Sequence, residues 1–220
     1  KTDSPVASYL SVNIITTLSF RYFISYFIYE SKTPYWARNA NSSLLSVTFL
    51  LPAYNEEEHI RRSIESIDSA ALRYVGRTEI IIVNDGSTDN TKKIASEAIL
   101  RLKYASGTVY NIPNSGRGYA LQYGLKRATG DVIFRIDSDS VINKNSIEPI
   151  VRHFSDPRVG SVSGLILPLE EKNWIQKLWI LQFYLLTFYR REWELIDSVL
   201  SQPGAFSVFR KDALLRVGGW

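Results

Sequence analysis

The sequence predicts an α/β domain built on a mainly parallel sheet flanked by helices, and two observations predict it. Apolar, β-rich runs end repeatedly in polar loops that pass into helical periodicity, the strand-loop-helix order of parallel sheets. Two of these runs deliver carboxylates at their ends, Ile81-Ile82-Val83-Asn84-Asp85-Gly86-Ser87-Thr88-Asp89 and Phe134-Arg135-Ile136-Asp137-Ser138-Asp139. Sheets of this kind bind ligands outside the carboxyl ends of their strands.

The elements follow in order. Ser46 to Leu51 is the first strand, and Pro52-Ala53-Tyr54-Asn55-Glu56-Glu57-Glu58 is a tight loop. Ile60, Ile64 and Ile67 then recur at helical spacing, with Asn55 as the expected N-cap and acidic residues in the first turn to complement the helix dipole. A second strand, Glu79 to Val83, runs into Asn84 to Asp89, where Gly86 permits a sharp turn and the surrounding hydroxyls are expected to cap a helix starting near Asn90. Val132 to Ile136 is a further strand. If it continues through Asp137 and Asp139, both side chains leave the same face, because side chains alternate along a strand.

Two converging carboxylates are hard oxygen ligands. Mg2+ is held by one or two of them, with water and substrate phosphates completing its shell, and Mn2+ accepts the same donors. Taken alone, Asp-Ser-Asp reads equally well as a solvated turn.

The surrounding motifs resemble something specific. Leu51-Pro52-Ala53-Tyr54-Asn55-Glu56, Val83 to Thr91, Asp137-Ser138-Asp139, Asn114-Ser115-Gly116-Arg117-Gly118-Tyr119-Ala120-Leu121, Pro203 to Arg210 and Val217-Gly218-Gly219-Trp220 are similar to the successive signatures of the family 2 glycosyltransferases. That resemblance covers roughly residues 46 to 220. It implies an inverting enzyme with the GT-A, Rossmann-like fold, a mixed and mainly parallel sheet. By the same resemblance, Pro52, Tyr54, Glu56 and Asp85 cradle the nucleoside of a UDP- or GDP-linked sugar, with Asp85 the partner of the base. Asp137 lies near the ribose and diphosphate, and Asp139 holds Mg2+ or Mn2+. Arg117 stands where many relatives carry Lys, a cation to meet the donor's phosphates. Gly-x-Gly-x-Ala at 116 to 120 can also be read as a dinucleotide turn, but it is one residue short of that motif and follows Pro113 and Asn114 after a weak strand.

In an inverting transfer the acceptor hydroxyl attacks opposite the leaving nucleoside diphosphate, and a carboxylate must take its proton. The family places that base downstream of the Gly-Gly-Trp segment, and a Gln-x-x-Arg-Trp motif of processive members later still, so both are expected beyond Trp220 and no catalytic residue is assigned within the chain. The absence of methionine is in keeping with a start other than the native one. Without cysteine there is no disulfide or thiolate metal site. A net charge of +4 suits anionic donors or an acidic membrane surface, while no basic block with interleaved aromatics points to nucleic acid.

Residues 1–30 read as a membrane-spanning or interfacial helix, 31–45 as a linker and 46–220 as the transferase domain. Tyr9 to Tyr29 carries one charge, Arg21, and about twenty such residues cross a bilayer. The positive linker favours the cytoplasmic side for the domain. Later, Trp174, Leu178, Leu181, Leu185 and Phe188 share a helical face widened by Trp179, Phe183, Tyr184, Tyr189 and Trp193. This is either a membrane-facing helix or one packed on the sheet. It leads to Gln202 and Gly204, candidates for the acceptor site by the resemblance to polysaccharide synthases, with a structural turn as the other reading. The expected partners are therefore a nucleotide sugar, a glycan or lipid-linked acceptor and the membrane. The expected product is an extended glycan, as in synthases of the cellulose, hyaluronan and chitin type. The alternatives are transfer of one sugar to a polyprenyl phosphate and a non-catalytic nucleotide-sugar binder on the same fold.

Overall fold

The computed structural model describes residues 44–169, 173–194 and 202–220. The expected amino-terminal membrane helix and most of the linker lie outside these residues.

Six strands form one sheet: β1 (Val47–Ala53), β2 (Thr78–Asp85), β3 (Ser106–Ile112), β4 (Val132–Ile136), β5 (Ser161–Ser163) and β6 (Phe206–Arg210). Their spatial order is β3-β2-β1-β4-β6-β5. The first four in that order are parallel, whereas β6 runs antiparallel to β4 and to β5. The chain moves outward from β1 through β2 to β3 and then returns to β1's other side with β4. That reversal leaves a crevice at the carboxyl ends of β1 and β4, the usual ligand position in such sheets.

Burial explains why the strands form. Along β1 and β2 the buried residues are nearly continuous, because helices cover both faces. On one face Phe49, Leu51, Ile80, Ile82 and Phe134 pack against Ile60, Ile64 and Ile67 of α1 (Ile60–Ala71) and Ala95 and Ala98 of α2 (Thr91–Ile99). On the other, Leu50, Ile81, Val83 and Ile133 pack against Ala120, Leu121 and Leu125 of α3 (Arg117–Leu125). The fit of α3 is tight at Gly124, where a Cβ would come within 2.2 Å of Leu50 Cδ1. Phe49 and Phe134 rings lie 4.6 Å apart and Phe134 and Phe206 6.2 Å apart, an aromatic row across β1, β4 and β6. Two short helices, α4 (Ile147–His153) and α6 (Lys211–Arg216), complete the sheet-bearing unit.

The helix starts correct two expectations. α1 begins at Ile60 with His59 as its N-cap and no acidic residue in its first turn. Asn55 is not a cap: its φ is 56°, and its side-chain oxygen instead accepts from the Thr88 amide at 2.8 Å. α2 does begin after Asn90, but the hydroxyls near it serve the neighbouring loop, Ser87 and Thr91 accepting from the amides of Asn55 and Glu56 at 3.0 and 2.7 Å.

α1 is tied to the loop before β3 by Asp68, whose carboxylate accepts from the amides of Lys103, Tyr104 and Ala105 at 2.9 to 3.2 Å. Asp68→Ala is expected to destabilise the fold by about 1.5 to 3 kcal/mol, the worth of charge-assisted hydrogen bonds, and Asp68→Asn by less. Urea midpoints of the three proteins check this. An unchanged midpoint in the alanine variant would show that water replaces the carboxylate without loss.

α5 (Trp174–Glu194) falls outside the compact unit that holds the sheet and is described by itself. Trp174, Leu178, Leu181 and Leu185 are all exposed, as are Trp179 and Tyr184. No described helix is long and apolar enough to cross a membrane.

Candidate active site

Seven of the nine candidate residues line one cleft of about 440 Å³: Pro52, Tyr54 and Glu56 after β1, Asp85 at the end of β2, Arg117 at the start of α3, and Asp137 and Asp139 after β4. The aspartates arrive there differently from the expectation. β4 ends at Ile136 and the chain turns at Ser138, so a turn and not the strand's pleat brings both carboxylates to the cleft.

The loops after β1 and β2 clasp each other. Glu57's carboxylate accepts from the amide and side chain of Asn90, both at 2.9 Å, while Asp89 accepts from the Glu57 amide at 3.2 Å and from Thr91's amide and hydroxyl at 2.9 and 2.5 Å. Burial pushes the Asp89 carboxyl up, but these hydrogen bonds outweigh it and hold it below the usual range. Gly86 makes the sharp turn directly after β2 at φ 69°, with Asn114 packed where a side chain would go.

Asp85 is 4% exposed and clamps the third loop. Its two oxygens accept from the amides of Ser115 and Gly116 at 2.8 and 2.9 Å. Both amides sit just ahead of α3, so Asp85 aims that helix's amino terminus, with its partial positive charge, at the cleft.

Arg117 is a half-exposed guanidinium that donates to Asp137 and, at 3.1 Å, to the Gly204 carbonyl. The Asp137 amide in turn donates to the Ala205 carbonyl at 3.2 Å. The segment before β6 is thereby fastened to the rim. Gly204 joins the site through its backbone alone, and Gln202 points to Ser161, donating at 2.8 Å; neither lines the cleft.

Four carboxylates and one guanidinium line the cleft. Glu56 registers the imbalance: burial first, and then the Asp139 charge, push its carboxyl above the usual range. Asp139 is exposed and accepts only from the Ser140 hydroxyl, at 3.3 Å, among the described residues. A divalent cation fits this donor set, all of it hard oxygen. No three acidic or histidine side chains among the described residues converge to hold a metal alone, so an ion here draws part of its shell from a ligand or water.

Sequence reasoning missed Ser138, which is buried in the wall of the cleft, and Arg135. The signal for Arg135 was available: a charge in the strand Val132 to Ile136, whose other residues are all buried. Burial and then the nearby Arg117 charge hold its guanidinium below the usual arginine range.

The sheet order and the position of the cleft are those of the GT-A fold, and residues 48–218 match the glycosyl transferase family 2 model, so the chain belongs to that family. Among its relatives, the poly-beta-1,6-N-acetyl-D-glucosamine synthase of Staphylococcus aureus (strain COL) is 31% identical over 181 residues, 80% of this chain and 42% of the synthase. The Staphylococcus epidermidis synthase is 29% identical over 185 residues, 83% of this chain and 44% of its own length. The chain thus spans about two fifths of the length of these curated relatives. A mannosyltransferase from Pyrobaculum calidifontis, solved with GDP-Man and Mn2+, shares the fold with a TM-score of 0.66 and 22% identity, covering 94% of this chain and 58% of that one. Mannosyl-3-phosphoglycerate synthase from Rubrobacter xylanophilus does so at 0.52 and 18%, covering 83% and 59%.

Proposed function

We propose that the chain binds a nucleotide sugar together with Mg2+ or Mn2+ and serves the inverting transfer of that sugar to a growing polysaccharide at a membrane. The observation that carries this reading is the charge of the cleft. A diphosphate entering a pocket of four carboxylates is repelled unless a cation intervenes, and Asp139 with Asp137 are the residues that would hold one. When bound, the metal supplies charge neutralisation for the departing phosphate.

The chain's own residues do the rest. Tyr54, 48% exposed at the mouth of the cleft, and Pro52 offer apolar surface to a nucleobase, with Asp85 and Glu56 as hydrogen-bond acceptors. Arg117 and the amino terminus of α3 face the position where phosphates would lie. A polysaccharide acceptor is supported by the synthase relatives, and a membrane by the exposed Trp and Leu face of α5.

Calorimetric titration with UDP and GDP, each with and without Mn2+, tests the reading. Metal-dependent binding of one nucleotide is expected; a folded sample that binds neither overturns it. Arg117→Ala is expected to weaken diphosphate binding about tenfold or more while sparing nucleosides. An equal loss for uridine and UDP, or for guanosine and GDP, would remove its phosphate role.

A further inference from the structure

Among the described residues, Arg135 is a cation without an anion. It lies on the α3 side of the sheet, two residues beyond Ile133, with Leu50 and Ser207 as its strand neighbours. It is half-buried, and its Nε is fully enclosed with no hydrogen-bond partner. The acid nearest along the chain, Asp137, is taken by Arg117. Beside it the hydroxyl of Ser207, a residue 0% exposed, is also unpartnered. Leaving a charge and a hydroxyl in such surroundings costs stability unless something pairs with them.

The guanidinium reaches the rim of the cleft, although Arg135 does not line it. A Cβ on Gly204 would sit 3.7 Å from an Arg135 terminal nitrogen, while the Gly204 carbonyl accepts from Arg117. Two guanidiniums therefore converge on one exposed glycine at the rim, and among the described residues only one of them has a carboxylate. We propose that Arg135 forms an oxyanion subsite beside Gly204 at the rim, taking a phosphate or carboxylate oxygen of a ligand that extends out of the cleft. Arginine presents a planar fork suited to such groups. A side chain at Gly204 would narrow the approach, which gives that position a role in access. The subsite rests on the donor reading for the nature of the cleft, and its occupant is probed in Mn2+, so that the carboxylates of the cleft do not repel the anion.

The test uses Arg135→Met and Arg135→Lys, with pyrophosphate and glucuronate as probes, followed by calorimetry and thermal melting. Without ligand, Arg135→Met is expected to melt above the unaltered protein, because it removes a charge that has no counterion. Pyrophosphate or glucuronate is expected to bind the unaltered protein about ten- to a hundredfold more tightly than Arg135→Met, with the lysine variant between them. Arg135-dependent binding of pyrophosphate alone identifies a phosphate as the occupant, and of glucuronate alone a sugar carboxylate. Equal binding of both anions by the unaltered protein and Arg135→Met overturns the subsite, as does a drop in melting temperature restored by lysine with no effect on either anion. Arg135-dependent anion binding in a chain that ignores UDP and GDP with Mn2+ would sink the donor reading and leave the subsite standing. Normal nucleotide binding with Arg135-independent anions would do the reverse.

Discussion

Asp139→Ala is expected to weaken nucleotide binding in Mn2+ by about a hundredfold or more, roughly 2.7 kcal/mol, while binding in EDTA changes little. The fold should not notice. Asp139 is exposed and accepts one long hydrogen bond, from Ser140. Exposed substitutions of that kind move stability by about 0.5 kcal/mol or less. The pair of measurements is calorimetry in the two buffers and thermal melting without ligand. Retention of the full Mn2+ enhancement by the variant would place the metal elsewhere.

Asp85→Ala should behave in the opposite way. Its carboxylate is buried and holds the amides of Ser115 and Gly116. Removing it leaves two amides without their acceptor and frees the start of α3, at an expected cost of about 2 to 4 kcal/mol. Binding should fall both in Mn2+ and in EDTA, because the loop that carries Arg117 loses its anchor. Asp85→Asn keeps one acceptor oxygen and should lose less. Chemical denaturation measures the stability change, and the same titrations measure the binding. If the Asp85 and Asp139 variants lost the two kinds of binding equally, this division of roles would fail.

The two aspartates also show what the sequence could reveal. β1, β2 and β4 were legible because each is buried on both faces and reads as an apolar run ended by a polar loop. β3 was faint, since it is an edge strand with exposed residues at Ser106, Thr108 and Asn111. The residues of the cleft were legible as motifs, but their partners were not. Nothing local in Arg117 indicates that it meets Asp137, or a carbonyl 87 residues away at Gly204. Asn55 misled because its side chain fits a helix cap, while the left-handed turn that it takes sends it to Thr88. Arg135 was visible as a charge within a buried strand, but its isolation was not: strand periodicity says which face a residue takes, not whether a charge there has company.

The antiparallel insertion of β6 has a consequence for synthesis. A ribosome delivers β1 to β4 long before Phe206–Arg210, and until then β4 is an edge with one open row of hydrogen-bonding groups. The turn bearing Asp137 then also lacks the Ala205 carbonyl that receives its amide, and Arg117 lacks Gly204. A nascent chain would thus carry the four acids of the cleft yet hold the Asp137 turn loosely. β6, which emerges after the other described strands, acts as the latch, so competence to bind should appear abruptly once it has emerged, and not in proportion to length.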